Sequence, residues 1–508
     1  MKGILKAGLI AGGLALVTPI PGLVEAQDAQ ALRDECLTQA REAGDKGPTP
    51  ETIVICEKAL SANPADSEIK VLLAVASVHR GDIDSAVRLV SEAAEAGNAL
   101  GQSALGSFHA DGLGVEQDYA EAARLFRLAA EQGEPAAQAK LALMYTFGIA
   151  IERDFSKALD LAQKSAFSGH RKGLNVMGLL YLYGFGVDED PALAVDYFER
   201  SAADGDSDAY GNLAVIYLEG RGVEPDTAKA IKWLERAIEA GSVDAHNTLG
   251  FMHLEGIGVE QDVEKALLHV RQAAEGGSAE GQNTLGVMYL EGRGVERDLD
   301  KAFALVRKAA ESGSARGQNT LAAMYHQGRG VEQNLEQALY WAQKSAQGGS
   351  PDGQNTLGVM YLQGQGVEKD LDKAVALVRK AAEGGSASGQ NTLAAMYLRG
   401  QGVERNLEQA FYWAHKSAKG GSADGQNTLG VMYLQGWGVE SDVYTAASLI
   451  RAAAEGGKAS AQNNMGKLCE NGIGLSRDRL EALKWYRLAA EQGHAEAAES
   501  VRRLGGSL

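Results

Sequence analysis

The ten letters GQNTLGVMYL, Gly281 to Leu290, return unchanged at Gly353–Leu362 and again at Gly425–Leu434. A near copy, GQNTLAAMY, stands between them at Gly317–Tyr325 and Gly389–Tyr397. A word repeated this faithfully either binds something or builds something. Its spacing decides the fold. A G-x-G turn follows each copy, and its first glycine recurs at Gly112, Gly148, Gly184, Gly220, Gly256, Gly292, Gly328, Gly364, Gly400, Gly436 and Gly472, always 36 residues apart. Eleven units without one insertion make a repeat array.

Each column of the repeat has a physical reading. Apolar residues at helical spacing, as in Leu285, Met288 and Tyr289, predict a first helix, A. The G-x-G pair supplies positive-φ positions that end it and turn the chain. Asp or Asn four residues beyond the second glycine (Asp118, Asp298, Asn334) is the N-cap of a second helix, B, and Asp118-x-x-Glu121 and Asn334-x-x-Gln337 read as capping boxes. Helix B closes at a glycine such as Gly133, Gly277 or Gly313. The Gly286 column is Gly or Ala in all eleven units, the Ala302 column is always Ala, and the Ala309 column is Ala or Ser. Small side chains at those places let helices approach toward the short end of the usual 8–10 Å range. One hairpin cannot bury its own apolar face, so stacking must supply the core.

The pattern A-x-x-x-L-G-x-M-Y-x-x-G-x-G-V-x-x-D-x-x-K-A-x-x-W-x-x-x-A-A-x-x-G resembles the Sel-1-like repeat family, a 36-residue cousin of tetratricopeptide repeats, over Ala99 to His494. The resemblance implies an all-α fold, a right-handed α-solenoid of helix-turn-helix repeats that serves as a protein-interaction scaffold. One unit departs from it: Gly148-Ile149-Ala150-Ile151 lacks the second glycine and the valine, so that turn is expected to be altered. Residues 27–98, with Asp82, Ala86, Ala93 and Gly97 in the register of helix B, read as a tetratricopeptide-like helical cap. Residues 99–494 are the eleven repeats. Residues 495–508 are a capping helix and tail with Arg502 and Arg503 in its last turn.

Residues 1–26 read as an export signal: Lys2 and Lys6, a short apolar run from Ala7 to Val17, and small residues around Val24-Glu25-Ala26. Pro19 and Pro21 keep that run short of a membrane span. A periplasmic or secreted protein is expected, with no stable membrane insertion after signal removal. Oxidising surroundings suit a disulfide. Cys36 and Cys56 lie almost equally far from the turn near Gly47-Pro48, so antiparallel helices would bring them together; two separately buried thiols are the alternative.

With 67 acidic against 49 basic residues and no Lys/Arg run, the chain carries no nucleic-acid footprint. No HExxH or CxxC spacing occurs, His246 and His253 stand about 10 Å apart by helical rise, and no metal or cofactor is expected. Ser67-x-x-Lys70 matches an acyl-enzyme signature but lacks its partner motifs, leaving an envelope enzyme acting on a β-lactam or peptidoglycan as the rival to a scaffold. The partner expected is a protein or peptide. Asn283, Asn319, Asn355, Asn391 and Asn427 recur one step into the word and would form a row able to grip an extended backbone, or would bond to the neighbouring unit's turn. Trp437, flanked by turn glycines, is either an exposed anchor or packs on the next unit. His326 and Arg399, near the ends of their helices, are further surface candidates, whereas Trp233, Trp341, Trp413 and Trp485 share a column expected in the core. Residues 279–314 and 351–386 match at 29 of 36 positions, a copied two-unit block that presents alternating surfaces.

Overall fold

A computed structural model describes residues 21–43 and 48–506; for 21–27 and 43 it describes the backbone alone. The export segment therefore lies outside the described residues, apart from the start of the first helix. Among the described residues there are 27 helices and no strand. Four precede the repeats: α1 (Pro21–Ala43), α2 (Pro50–Ala62), α3 (Ser67–His79) and α4 (Ile83–Glu95). Eleven A/B pairs follow, from α5 (Ala99–Asp111) and α6 (Tyr119–Glu131) to α25 (Ala459–Asn471) and α26 (Arg479–Glu491), and α27 (Ala495–Arg503) closes the chain. The helices group into two compact units, one ending at Ala240 and one beginning at Gly241. Within each, every helix packs on its sequence neighbours, in the solenoid manner.

The repeat word can be followed letter by letter in α15 (Ala279–Glu291). Gly281 lies against Ala273 of the preceding helix B, where an added Cβ would stand 2.6 Å from the alanine methyl. Gln282 sends Nε2 to Ala274 O at 3.4 Å, and Gln318, Gln390 and Gln462 do the same to Ala310, Ala382 and Ala454. Each thereby gives a second donor to a carbonyl at the end of the previous helix that already accepts from the glycine three residues on, as Gly277 N donates to Ala274 O. Thr284 turns its hydroxyl back to Glu280 O. Leu285, Met288 and Leu290 are buried, each stabilising by about 1.5–3 kcal/mol. Tyr289 O accepts from Asp298 N at 3.0 Å, fixing the N-cap of the next helix, and Asp298 accepts from Lys301 N. The word builds; Asn283 is the letter left without a bond.

The small column closes the hairpin from within. Gly286 faces Val306, Gly358 faces Val378 and Gly430 faces Ile450; Gly106, Gly178 and Gly466 lie against the rings of Phe126, Phe198 and Tyr486. At three of the column's four alanines, Ala142, Ala322 and Ala394, the opposing column holds Ala162, Ala342 and Ala414 in the same buried clusters, while for Ala214 it holds Leu234. Apart from the Ala214 hairpin, volumes on the two sides are complementary. Serines in the Ala309 column add a bond inside the hairpin: Ser345 donates to Ala315 O at 2.6 Å and Ser417 to Ala387 O at 2.7 Å.

Two expectations need correction. The turn lacking its second glycine keeps the same backbone path, with Ala150 at φ +55°, the sole non-glycine at positive φ among the described residues. The flanking helices fix that path, and the alanine bears the strain. The tryptophan column is only partly core: Trp413 is buried, but Trp233, Trp341 and Trp485 are half-buried. All three pack against the buried clusters from their margins, and Arg236 covers the Trp233 ring at 4.9 Å. Cys469, standing in the tyrosine column, is fully buried, and burial pushes its thiol up to about 11. Cys36 and Cys56 are joined in a disulfide between α1 and α2, with Cα atoms 5.0 Å apart.

Candidate interaction surface

In the second unit, the face of helix A left over after packing is narrow and repetitive. From α15 onward five helices each contribute an asparagine, a threonine and a Val or Ala one turn on, as Asn283, Thr284 and Val287, then Asn319, Thr320 and Ala323, whereas the Val/Ala place holds Phe251 beside Asn247 and Lys467 beside Asn463. Four of the threonine hydroxyls bond back to their own helix: Thr248 to Asp244 O, Thr284 to Glu280 O, and Thr320 to Arg316 O and Thr392 to Ser388 O, the last two at 3.0 Å. The asparagines do not. The amide oxygens of Asn247, Asn283, Asn319, Asn355 and Asn391 are buried and have no hydrogen-bond partner. Five consecutive units thus carry the same unsatisfied acceptor, at a usual cost of about 1–3 kcal/mol each.

The row is interrupted where a neighbour supplies a donor, and Asn463, one unit beyond the interruption, again has an unpartnered amide oxygen while its nitrogen donates to Glu496 at 2.9 Å. Asn427 Oδ1 accepts from Asn464 Nδ2 at 2.9 Å, and in the first unit Asn175 Oδ1 accepts from Asn212 Nδ2 at the same distance. The expected alternative of a bond to the neighbouring unit therefore holds at Asn427, although the donor is a helix residue and not a turn. At Asn283, Asn319, Asn355 and Asn391 neither nitrogen nor oxygen is bonded to another side chain among the described residues.

Alongside the row run contacts that sequence reasoning missed. The N-cap serines reach back one unit: Ser278 Oγ meets Asp244, Ser314 Oγ meets Glu280 at 2.7 Å and Ser386 Oγ meets Asp352 at 2.6 Å. Their 34-residue spacing between an acidic residue and a serine was visible in the letters. The middle residue of the G-x-G turn also reaches back, as Arg221 to Leu182 O at 2.8 Å and Arg293 to Leu254 O at 3.0 Å. His326 Nε2 lies 2.8 Å from Oε1 of turn residue Gln365, so its ring is engaged in a unit-to-unit bond. Trp437 remains 37% exposed with its backbone N–H on Met432 O. Arg399 is exposed and forms no ion pair among the described residues.

The pair behind the enzyme reading does not assemble. Lys70 Nζ is held by Glu92 at 2.8 Å, while Ser67, at the start of α3, points its hydroxyl toward Ala65 O. A lysine engaged by a carboxylate is not free to take a serine proton.

The Sel1 repeat matches the chain eleven times in succession, from residues 99–134 to 459–494. The chain belongs to the Sel1 repeat family. Among solved Sel1-type structures, a protective antigen of uropathogenic Escherichia coli strains displaying an SLR fold is 33% identical over 82% of this chain and 90% of its own, with a TM-score of 0.39. A Sel1 repeat protein from Oxalobacter formigenes is 29% identical over 62% of this chain and 94% of its own, with a TM-score of 0.37. A search of curated proteins gave no match. Family and fold make this Sel1 protein an interaction scaffold in general terms. No helix among its described residues is long and apolar enough to cross a membrane.

Proposed function

We propose that this Sel1 protein is an exported scaffold that receives an extended segment of a partner protein along the helix-A face of its second unit. The observation that carries this reading is the row of unpartnered amide oxygens from Asn247 to Asn391. A carboxamide offers two donors on one side and an acceptor on the other, and a half-turn about its last bond exchanges them. Repeated once per unit, it suits a ligand that repeats too, namely a polypeptide backbone with N–H and C=O groups at regular intervals. From Asn283 onward the small Val and Ala residues beside the row leave room for a main chain to approach, and beside Asn247 the exposed Phe251 takes their place. Trp437 and the unpaired Arg399 flank the same helices and would supply an aromatic and a cationic anchor. Export rests on the apolar leader at residues 1–26, and the Cys36–Cys56 bond supports an oxidising compartment.

The test is crosslinking of the full chain in its native cell envelope, followed by mass spectrometry. Crosslinked peptides should map to the A helices between Asn283 and Asn427. Replacing Asn319 and Asn355 together by alanine should remove the partner without changing the helical content. A partner set unaltered by that pair, and by Trp437→Ala, would refute the proposed surface.

A further inference from the structure

Three of the chain's nine histidines fall in one repeat, that of α13 (Val243–Glu255) and α14 (Val263–Glu275). His246 and His253 stand two turns apart on α13, too far apart to share a ligand by themselves. The structure brings His269 of α14 between them. Nδ1 of His246 and Nδ1 of His269 are 3.0 Å apart, and the ring of His253 lies parallel to that of His269, with centroids 6.1 Å apart. All three rings are half-buried, so solvent reaches the cluster.

Packing does not call for imidazoles here. The His246 column is glutamine in eight of the other ten units, and the His269 column is Leu, Trp or Tyr throughout. In the preceding repeat the two columns hold Tyr210 and Trp233, whose rings stack at 5.8 Å. Histidine keeps that side-by-side arrangement and adds two facing nitrogens.

We infer that His246 and His269 form a binding site for a divalent transition-metal ion, with Cu²⁺ preferred over Ni²⁺ and Zn²⁺. Metal–nitrogen bonds of about 2.0–2.1 Å place two cis ligands at a right angle about 2.9 Å apart, and at a tetrahedral angle about 3.3 Å apart. The present separation lies next to the right-angled value, which tetragonal Cu²⁺ and Ni²⁺ adopt. With the ring centroids 5.3 Å apart the two nitrogens now meet nearly head-on, so each half-buried ring must swing by about 45° to aim both lone pairs at one point. At present one ring must donate its Nδ1 proton to the other. On binding, that ring changes tautomer: the Nδ1 proton leaves to water and Nε2 gains one, so no net proton is released. Among the described residues no three potential ligands converge anywhere, so water completes the coordination sphere.

The test is calorimetric titration of the full chain with Cu²⁺ alone, then Ni²⁺ and Zn²⁺, joined to electron paramagnetic resonance of the copper form. One ion should bind per chain with two nitrogen ligands in the spectrum. His246→Gln and His269→Leu install residues that other units already carry, so the fold is kept. Each should weaken binding by at least ~10-fold, the loss that even an outer-shell change can bring. His253→Tyr, which restores the common residue of its column, should leave the affinity unchanged. No saturable binding of any of the three ions would overturn the site. Binding that survives both His246→Gln and His269→Leu would place the ion elsewhere and overturn it equally.

Discussion

The Cβ that Gly286 lacks would stand 2.6 Å from Cγ2 of Val306, closer than carbon atoms pack. Gly286→Ala should therefore destabilise the hairpin of α15 with α16 (Leu299–Glu311), because overpacking costs about 1–3 kcal/mol while the gain in helix propensity returns at most about 1 kcal/mol. Gly286→Ala with Val306→Ala recreates the pairing seen at Ala322 and Ala342 and should recover part of the loss. Hydrogen exchange in residues 279–311 measures this locally, which suits an array whose repeats need not unfold together. Strictly additive effects of the two substitutions would show that they do not pack on each other.

That pair also marks the limit of what the letters revealed. The glycine-or-alanine column was legible because it is nearly invariant along the array, as were the helices, the turns and the caps. The opposing column varies among Ala, Val, Ile, Leu, Phe and Tyr, and only contact shows that its size answers the residue it faces. The asparagine row was legible as a recurrence, but its unbonded oxygens were not, since bonding depends on which neighbour lies within 3 Å. The His246–His269 pair stayed hidden for a related reason. Helical spacing relates residues on one helix, and here the decisive residue comes from another.

Ala150 offers a substitution that should stabilise. At φ +55° an L side chain bears a cost of about 1–2 kcal/mol that glycine avoids. Ala150→Gly restores the residue of the other units and should protect amides of residues 135–167 from exchange, with a gain of about 1 kcal/mol after the extra freedom of glycine in the unfolded chain. Ala150→Val should do the reverse. Equal protection in all three proteins would mean that the turn is not strained.

At the C-terminal end, Arg503 donates from both terminal nitrogens to Glu470, Nη2 to Oε2 at 2.7 Å, and Tyr486 Oη adds a bond to Oε2 at 3.0 Å. This clamps α27 to the last helix A. Arg503, and after it the Tyr486 hydroxyl, hold the Glu470 carboxyl below its ordinary value of 4.5, against the opposing effect of burial. A carboxyl whose folded value is depressed stabilises fully above its unfolded value and loses that contribution as pH falls through the folded one. Arg503→Ala should therefore lower Tm at pH 7, and the difference should shrink below about pH 4.5 and vanish once Glu470 is protonated in both proteins. Thermal melts of the two proteins at pH 7 and pH 3 check this. A Tm gap as wide at pH 3 as at pH 7 would assign the effect to lost packing of the arginine stem.

The Cys36–Cys56 bond fastens α1 to α2 across a separation of 20 residues. Closing a loop of that size removes unfolded-state entropy worth about 3 kcal/mol. Thiol titration of oxidised protein in denaturant should find one free cysteine, Cys469, whose burial hides it until unfolding. Reduction, or Cys36→Ser with Cys56→Ser, should release α1 first, because among the described residues it stands at the end of the stack and packs chiefly on α2. Protection should fall in residues 28–62 and stay unaltered beyond α5. Three titratable thiols in protein isolated from its native compartment would mean that the bond does not form there, and would remove one of the two supports for export.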